Sequence, residues 1–271
     1  MEYIESFIIG ILQGITEFLP ISSSGHIVMA QAILGDELEM GMTMNIITHF
    51  GTLFSIIIYF HKELRELVIS FFEILKQPIQ KFKRWDEDEK LRFNVYILVS
   101  MIPAGVAGFT IRGPLDSAFS NPIGVSIMLL LTGFLLFATK FFGMGEQKLT
   151  LKNTFLIGCA QALALIPGVS RSGTTIAAAV FLNINRNDIA QFTFIMMLPV
   201  VAGATLVEMM GLTSDATTAD MIPHLIIGFF ASLVSGYYAL KYLIILFKSK
   251  GIHYFAYYCW AVGLLGIIYF Y

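Results

Sequence analysis

Apolar residues run along this chain in stretches too continuous for the one-sided helices of a water-soluble bundle. Six stretches, roughly 44–61, 93–111, 122–142, 189–211, 222–246 and 253–271, are each near the ~20 residues that a bilayer-crossing helix needs. Two further regions, 3–34 and 152–183, are equally apolar but broken in the middle, at LPISSSG (Leu19–Gly25) and IPGVSRSG (Ile166–Gly173). Proline removes a backbone donor and glycine weakens a helix, so each region predicts two half-helices. Each half is too short to span, which predicts a hairpin that dips into the membrane and returns to the side it came from. Irregular backbone at that depth is tolerated only where protein buries it or it lines a wet cavity.

The two broken regions are copies of each other. A shift of 148 residues brings Gly10 onto Gly158, Gln13 onto Gln161, Ser22 onto Ser170, Ser24 onto Ser172 and Gly25 onto Gly173. Each is followed by three predicted spans. The chain therefore reads as one all-α membrane domain, 1–271, made of a first repeat (1–142) and a second (152–271). A hairpin plus three crossings leaves the chain on the opposite side, so the second copy is inverted, an architecture whose binding sites lie where the repeats meet.

Composition agrees: 56% of residues are hydrophobic and 13% charged, against about 25% charged in soluble domains. With the segment 62–92 on the cytoplasmic side, the topology gathers fifteen of the seventeen basic residues there, as the positive-inside rule expects. Arg112 falls outside and Arg171 sits at the second hairpin tip. The start, MEYIES, lacks the positive region of a cleavable signal. Cys159 and Cys259 lie in apolar runs and read as small core residues. The net charge of −2 says nothing about partners, because the charges are sorted by side, and no nucleic-acid partner is expected.

In this topology the two tips approach from opposite sides and meet. The meeting point gathers Gln13, Glu17, Ser22, Ser23, Ser24, Gly25, His26, Ser170, Arg171, Ser172, Thr174 and Thr175. Ionisable residues inside a membrane are functional candidates because burying them is costly. Gln13 and Glu17, four apart, share a helix face. Helix-start N–H groups bind anions, and an arginine fork suits phosphate oxygens. Glu17 could hold a divalent cation that bridges phosphate oxygens. The set resembles a phosphate cradle, though not a nucleotide P-loop, since GxxxxGK[ST] is absent. Plainer readings exist: serines that only cap half-helices, Gln13 as scaffold because Gln161 matches it, and His49 as an ordinary hydrogen-bonded histidine. Against them stands an asymmetry. Glu17 and His26 face Leu165 and Thr174 in the other copy, and Arg171 faces Ser23.

QGITE (Gln13–Glu17) with PISSSGH (Pro20–His26), and PGVSRSGTT (Pro167–Thr175), resemble the two motifs of the bacterial undecaprenyl-diphosphate phosphatase family of the bacitracin-resistance type. The resemblance extends over the whole chain. It implies an integral enzyme of the bacterial cytoplasmic membrane. Such an enzyme removes the terminal phosphate of undecaprenyl diphosphate and so recycles the carrier for peptidoglycan synthesis. It also implies a divalent cation, usually Mg²⁺, and a site opening to the outer face. By position, Glu17 matches the motif carboxylate (metal or base) and Gln13 the first motif position. Ser23 matches a proposed nucleophile and His26 an essential base or nucleophile. Arg171 matches the phosphate-binding arginine, Ser170 and Ser172 its hydrogen-bonding neighbours, and Thr175 the last motif position. Ser23, His26 and water stay open as nucleophile. Expected partners are the polyprenyl diphosphate and the bilayer, with a homodimer left open. The rival reading is an alternating-access transporter or flippase of a lipid phosphate, since paired re-entrant hairpins also build carriers.

Overall fold

The computed structural model describes residues 3–34, 41–110, 118, 121–143, 145–210, 219–249 and 251–271. The fold is all-α. In chain order the helices are α1 (Tyr3–Phe18), α2 (Ser23–Leu34), α3 (Gly41–Tyr59), α4 (His61–Lys76), α5 (Pro78–Lys83), α6 (Glu89–Thr110) and α7 (Pro122–Ala138). They continue with α8 (Leu151–Leu163), α9 (Arg171–Phe181), α10 (Arg186–Ile195), α11 (Met197–Met210), α12 (Ile222–Ser249) and α13 (Phe255–Phe270). Arg112 lies outside the described residues.

Four helical segments are long and apolar enough to cross a membrane: Glu89–Thr110, Pro122–Phe141, Arg186–Val207 and Ile222–Ser249. A fifth span is available if α3 and α4 are taken together, although the pair bends by 87°. α13 is apolar but shorter, at 16 residues. The region 62–92, placed on the cytoplasmic side by its basic residues, folds largely into helix. In HKELRELVISFFEILK the apolar and charged residues alternate at helical spacing. Leu67 and Ser70 are buried while Val68, Phe72 and Leu75 stay exposed.

Both broken regions are helix–tip–helix, as the proline and glycine positions predict. Thr150 and Asn153 form a reciprocal cap that starts α8. The two ends of the second region lie side by side. Gln147 N–H donates to the Asn183 carbonyl (3.0 Å), and Asn185 N–H donates to the Gln147 carbonyl (3.0 Å). Basic segments also converge. Arg186 Nη1 donates to the Phe247 carbonyl at 3.0 Å. Lys140, Arg186 and His253 line one small cavity.

The packing crosses between the two halves of the chain. α1 lies along α12, α12 also contacts α3, α8 lies along α6, and α7 lies along α13. Glycines permit the close approaches that membrane helices rely on. A Cβ at Gly10 would stand 2.6 Å from the Gly228 carbonyl oxygen, and one at Gly158 would strike the Ser100 carbonyl. Large apolar side chains such as Phe109, Phe134, Ile226 and Ile268 are exposed on the outside of the bundle. A hydrocarbon solvent covers such residues at no cost.

Gly158→Ala should therefore lower stability by about 1–3 kcal/mol through overpacking. Gly105→Ala, with nothing near its Cβ position, should leave stability unchanged or raise it slightly. Thermal unfolding of both variants in detergent checks this, and equal melting temperatures would contradict the close α6–α8 packing.

Candidate active site

The first tip begins where α1 ends at Phe18. Ser22 then takes a left-handed backbone conformation, φ 68°, which costs a non-glycine residue about 1–3 kcal/mol. Local bonds hold it there. Gly25 N–H donates to Ser22 Oγ (3.2 Å), Ser24 Oγ lies 3.3 Å from Ser22 Oγ, and His26 N–H donates to the Ser22 carbonyl (3.2 Å). Ser22 is in effect the cap of α2.

The second tip repeats the pattern. Gly173 N–H donates to Ser170 Oγ (3.2 Å), Ser170 and Ser172 Oγ are 3.3 Å apart, and Thr174 N–H donates to the Ser170 carbonyl (2.8 Å). The shift of 148 thus relates hydrogen bonds as well as letters. Capping takes up the Gly25 and Gly173 amides, and the first two amides of each helix, Ser23 and Ser24 in α2 and Arg171 and Ser172 in α9, have no intrahelical acceptor by helix geometry, which makes both starts attractive to anions.

The tips touch. Ser172 Oγ donates to the Leu19 carbonyl (3.3 Å). A Cβ on Gly25 would stand 3.3 Å from Gly168 Cα, and one on Gly173 would stand 3.1 Å from Pro20 Cβ. Gly168, φ 91°, has a positive backbone angle and presses on the Val125 carbonyl, so no other residue fits. Thr132 of α7 clasps the second tip, donating to the Gly168 carbonyl (3.0 Å) and accepting from Ser170 N–H (3.3 Å).

At this junction sits Glu17, its side chain only 4% exposed. Ser23 Oγ donates to Glu17 Oε2 at 2.7 Å, and Gln13 Nε2 donates to the same oxygen at 3.0 Å. Arg171 Nη1 stands 3.5 Å from Oε1, an ion pair between the tips. Gln13 Nε2 also lies 3.1 Å from His49 Nδ1. The amide nitrogen must face Glu17, because the reverse orientation would set two oxygens together. His49 Nδ1 therefore accepts, 3.8 Å from Glu17 Oε2.

Three buried polar atoms in this neighbourhood have no hydrogen-bond partner: Gln13 Oε1, Arg171 Nη1 and Thr174 Oγ1. Leaving such atoms unpaired costs on the order of 1–3 kcal/mol each. A donor fork and an acceptor oxygen beside a carboxylate-bound serine suit a polar, anionic ligand that brings both charge and acceptors.

The sequence-derived candidates divide accordingly. Gln13, Glu17, Ser23 and Arg171 meet directly. Ser22, Ser24, Gly25, Ser170 and Ser172 build and join the tips. The Thr175 hydroxyl turns back onto its own helix, donating to the Arg171 carbonyl (2.9 Å). His26 faces elsewhere. Its Nδ1 is 2.8 Å from the Ser22 carbonyl and its Nε2 is 2.8 Å from the Tyr258 hydroxyl. Three residues were not singled out as site residues: His49, Tyr258 and Thr132. A histidine inside an apolar run is a signal that could have flagged His49. Tyr258 and Thr132 carry none. The two cysteines are unpaired, with Cys259 buried and Cys159 half-buried.

A family model described as bacitracin resistance protein BacA matches residues 6–265. An undecaprenyl-diphosphatase from Salinibacter ruber is 38% identical over 268 residues, covering 98% of this chain and 99% of its own. One from Halothermothrix orenii is 37% identical, covering 99% and 98%. One from Methanobrevibacter smithii is 34% identical, covering 98% and 96%. The match embraces both tips and every helix that carries them, and on that span and those identities the chain belongs to the BacA bacitracin-resistance family.

Proposed function

We infer that this chain hydrolyses undecaprenyl diphosphate to undecaprenyl phosphate and inorganic phosphate, recycling the lipid carrier for peptidoglycan synthesis and conferring bacitracin resistance. One observation carries the reading. The Ser23 hydroxyl donates at 2.7 Å to a buried carboxylate whose other oxygen faces a guanidinium. A phosphate-binding carrier needs the cation but has no use for a serine paired with a base.

Phosphoryl transfer depends on positioning and charge stabilisation. Arg171, whose Nη1 has no hydrogen-bond partner beyond its 3.5 Å ion pair with Glu17, takes the oxygens of the terminal phosphate, and the amides at the starts of α2 and α9 add donors. Ser23 Oγ attacks the terminal phosphorus in line with the bridging oxygen, and its proton passes to Glu17 Oε2. The bridging P–O bond breaks and the lipid monophosphate leaves with that proton. Water then attacks the phosphoserine. Glu17 takes a proton from the water and returns it to Ser23 as inorganic phosphate departs.

The residues suit a divalent cation of the hard type. Gln13 Oε1 is an unpaired buried acceptor beside the Glu17 carboxylate, and these two side chains would hold it. Among the described residues there is no group of three or more His, Cys, Asp or Glu side chains. Substrate oxygens and water would complete the shell, as is usual for Mg²⁺. Bound there, the cation neutralises charge on the phosphate oxygens.

The membrane arrangement we propose is six spans and two re-entrant hairpins in an inverted repeat. Paired ends of 152–183, matched bonds at the two tips, and reciprocal packing of α1 on α12 and α8 on α6 support it. The cytoplasmic membrane is the location, with the site opening to the outer face. A lateral cavity of about 810 Å³ between α1, α12 and α13 reaches the first tip at Leu19 and Ile21, and it takes the start of the prenyl chain. Isoprene units inside the cavity pack against its wall, while those beyond it lie in lipid whether or not the substrate is bound and add little affinity.

Purified protein in detergent should release phosphate from undecaprenyl diphosphate with Mg²⁺ and lose release with EDTA. Glu17→Gln and Ser23→Ala should each cut the rate by about 10²–10⁴-fold, and Arg171→Ala by about 10³-fold. No release from folded wild type would sink the reading, and a Ser23→Ala rate within a few-fold of wild type would remove Ser23 as nucleophile. Among prenyl diphosphates, KM should rise when the chain is shortened to a farnesyl group and stay level between two chains longer than the cavity. A KM that keeps falling with length would contradict the lateral exit of the tail.

A further inference from the structure

His26 is a motif residue that the Glu17 cluster does not hold, and two hydrogen bonds fix its ring. The Ser22 carbonyl can only accept, so the 2.8 Å contact places a proton on His26 Nδ1. Nε2 of the neutral ring is then a bare lone pair, and the Tyr258 hydroxyl donates to it at 2.8 Å. The two rings also stack, with planes 12° apart. The neighbouring Cys259 Sγ, 3.6 Å from the Pro20 carbonyl, fixes α13 against the same tip. Tyr258 is 43% exposed and forms part of the wall of the lateral apolar cavity with Leu19 and Ile21. It therefore stands at the boundary between the polar site and the lipid channel.

We propose that Tyr258 is the positioning residue of His26, its hydroxyl fixing the imidazole as the Nδ1–H form with Nε2 turned to the mouth of the lipid cavity. This rests on the phosphatase reading above. The Ser22 carbonyl alone holds one end of the ring and leaves rotation about that bond free. Two bonds at opposite ring nitrogens fix both tautomer and aim. A prenyl diphosphate that enters along the cavity passes Tyr258 before its phosphates reach Ser23. The tyrosine thus fixes the ring beside the entry that the diphosphate crosses, with its own hydroxyl between Nε2 and the cavity. No helix other than α13 supplies a partner to that nitrogen among the described contacts.

The test is Tyr258→Phe in the full-length protein, assayed for phosphate release from undecaprenyl diphosphate beside wild type and Tyr269→Phe, an exposed tyrosine of the same helix. Phenylalanine keeps the ring and the cavity wall and removes only the donor. The expected result is a fall of about tenfold in kcat, the scale of one hydrogen bond, with KM within twofold and Tyr269→Phe unchanged. A residue that only packs against the tail would move KM or nothing. A Tyr258→Phe kcat within twofold of wild type overturns the proposal while leaving the phosphatase reading intact. An inactive wild type overturns both. Single-turnover release per folded site keeps the comparison valid should the variant fold in lower yield.

Discussion

Everything in this molecule is arranged around one carboxylate that water does not reach. Glu17 is nearly fully buried among apolar helices, and an isolated charge there would be prohibitively costly. Its partners come from four helices: Gln13 from α1, Ser23 from α2, His49 from α3 and Arg171 from α9. α2 and α3 both neighbour α1, but Arg171 of α9 reaches them only because the two broken helices meet at their tips. The breaks, the glycines that let the tips touch, and the Thr132 clasp all serve that meeting. The same network leaves the Gln13 amide oxygen without a hydrogen bond and holds Arg171 Nη1 by a long ion pair alone, so both have capacity for a further partner.

This balance separates an enzyme from a carrier built on similar lines. A carrier binds its anion and lets go of it unchanged, which asks for donors and a counter-charge. Here the counter-charge Arg171 faces a carboxylate already bound to a serine hydroxyl. The asymmetry between the repeats has the same sense. The copies share the serines and glycine that shape a tip, yet one supplies a carboxylate bound to a serine hydroxyl and the other supplies the guanidinium. Two equal tips would make a symmetric anion site, whereas unequal tips make one that can do chemistry in one direction.

Much of this is legible in the sequence because lipid simplifies the rules. Long apolar runs give helices, and proline with glycine inside such a run gives a break. A charged residue in such a run marks a site, which picks out Glu17 and Arg171, whereas Ser23 is singled out among the three tip serines by the family resemblance. What could not be read is helix rotation. α13 is apolar on every side, so nothing in its sequence says that Tyr258 faces His26. α3 is similar, and its contact between His49 and Gln13 is set by tertiary packing. α4 hides for another reason: its charges mask the apolar face in any average over a span-length window. The break between α10 and α11 at Met196 is marked only by Pro199, whose missing N–H takes the helical donor from the Ile195 carbonyl, and it is masked by the apolar run on either side.

The central claim is that Glu17 makes Ser23 the nucleophile, so that phosphate passes through the protein on its way to water. The stereochemical course at phosphorus tests it most directly, using undecaprenyl diphosphate whose terminal group is a chiral, oxygen-isotope-labelled thiophosphate. Two in-line displacements at Ser23 give net retention in the released thiophosphate. Inversion would mean that water attacks directly, with Glu17 as its base and Ser23 only a positioning group.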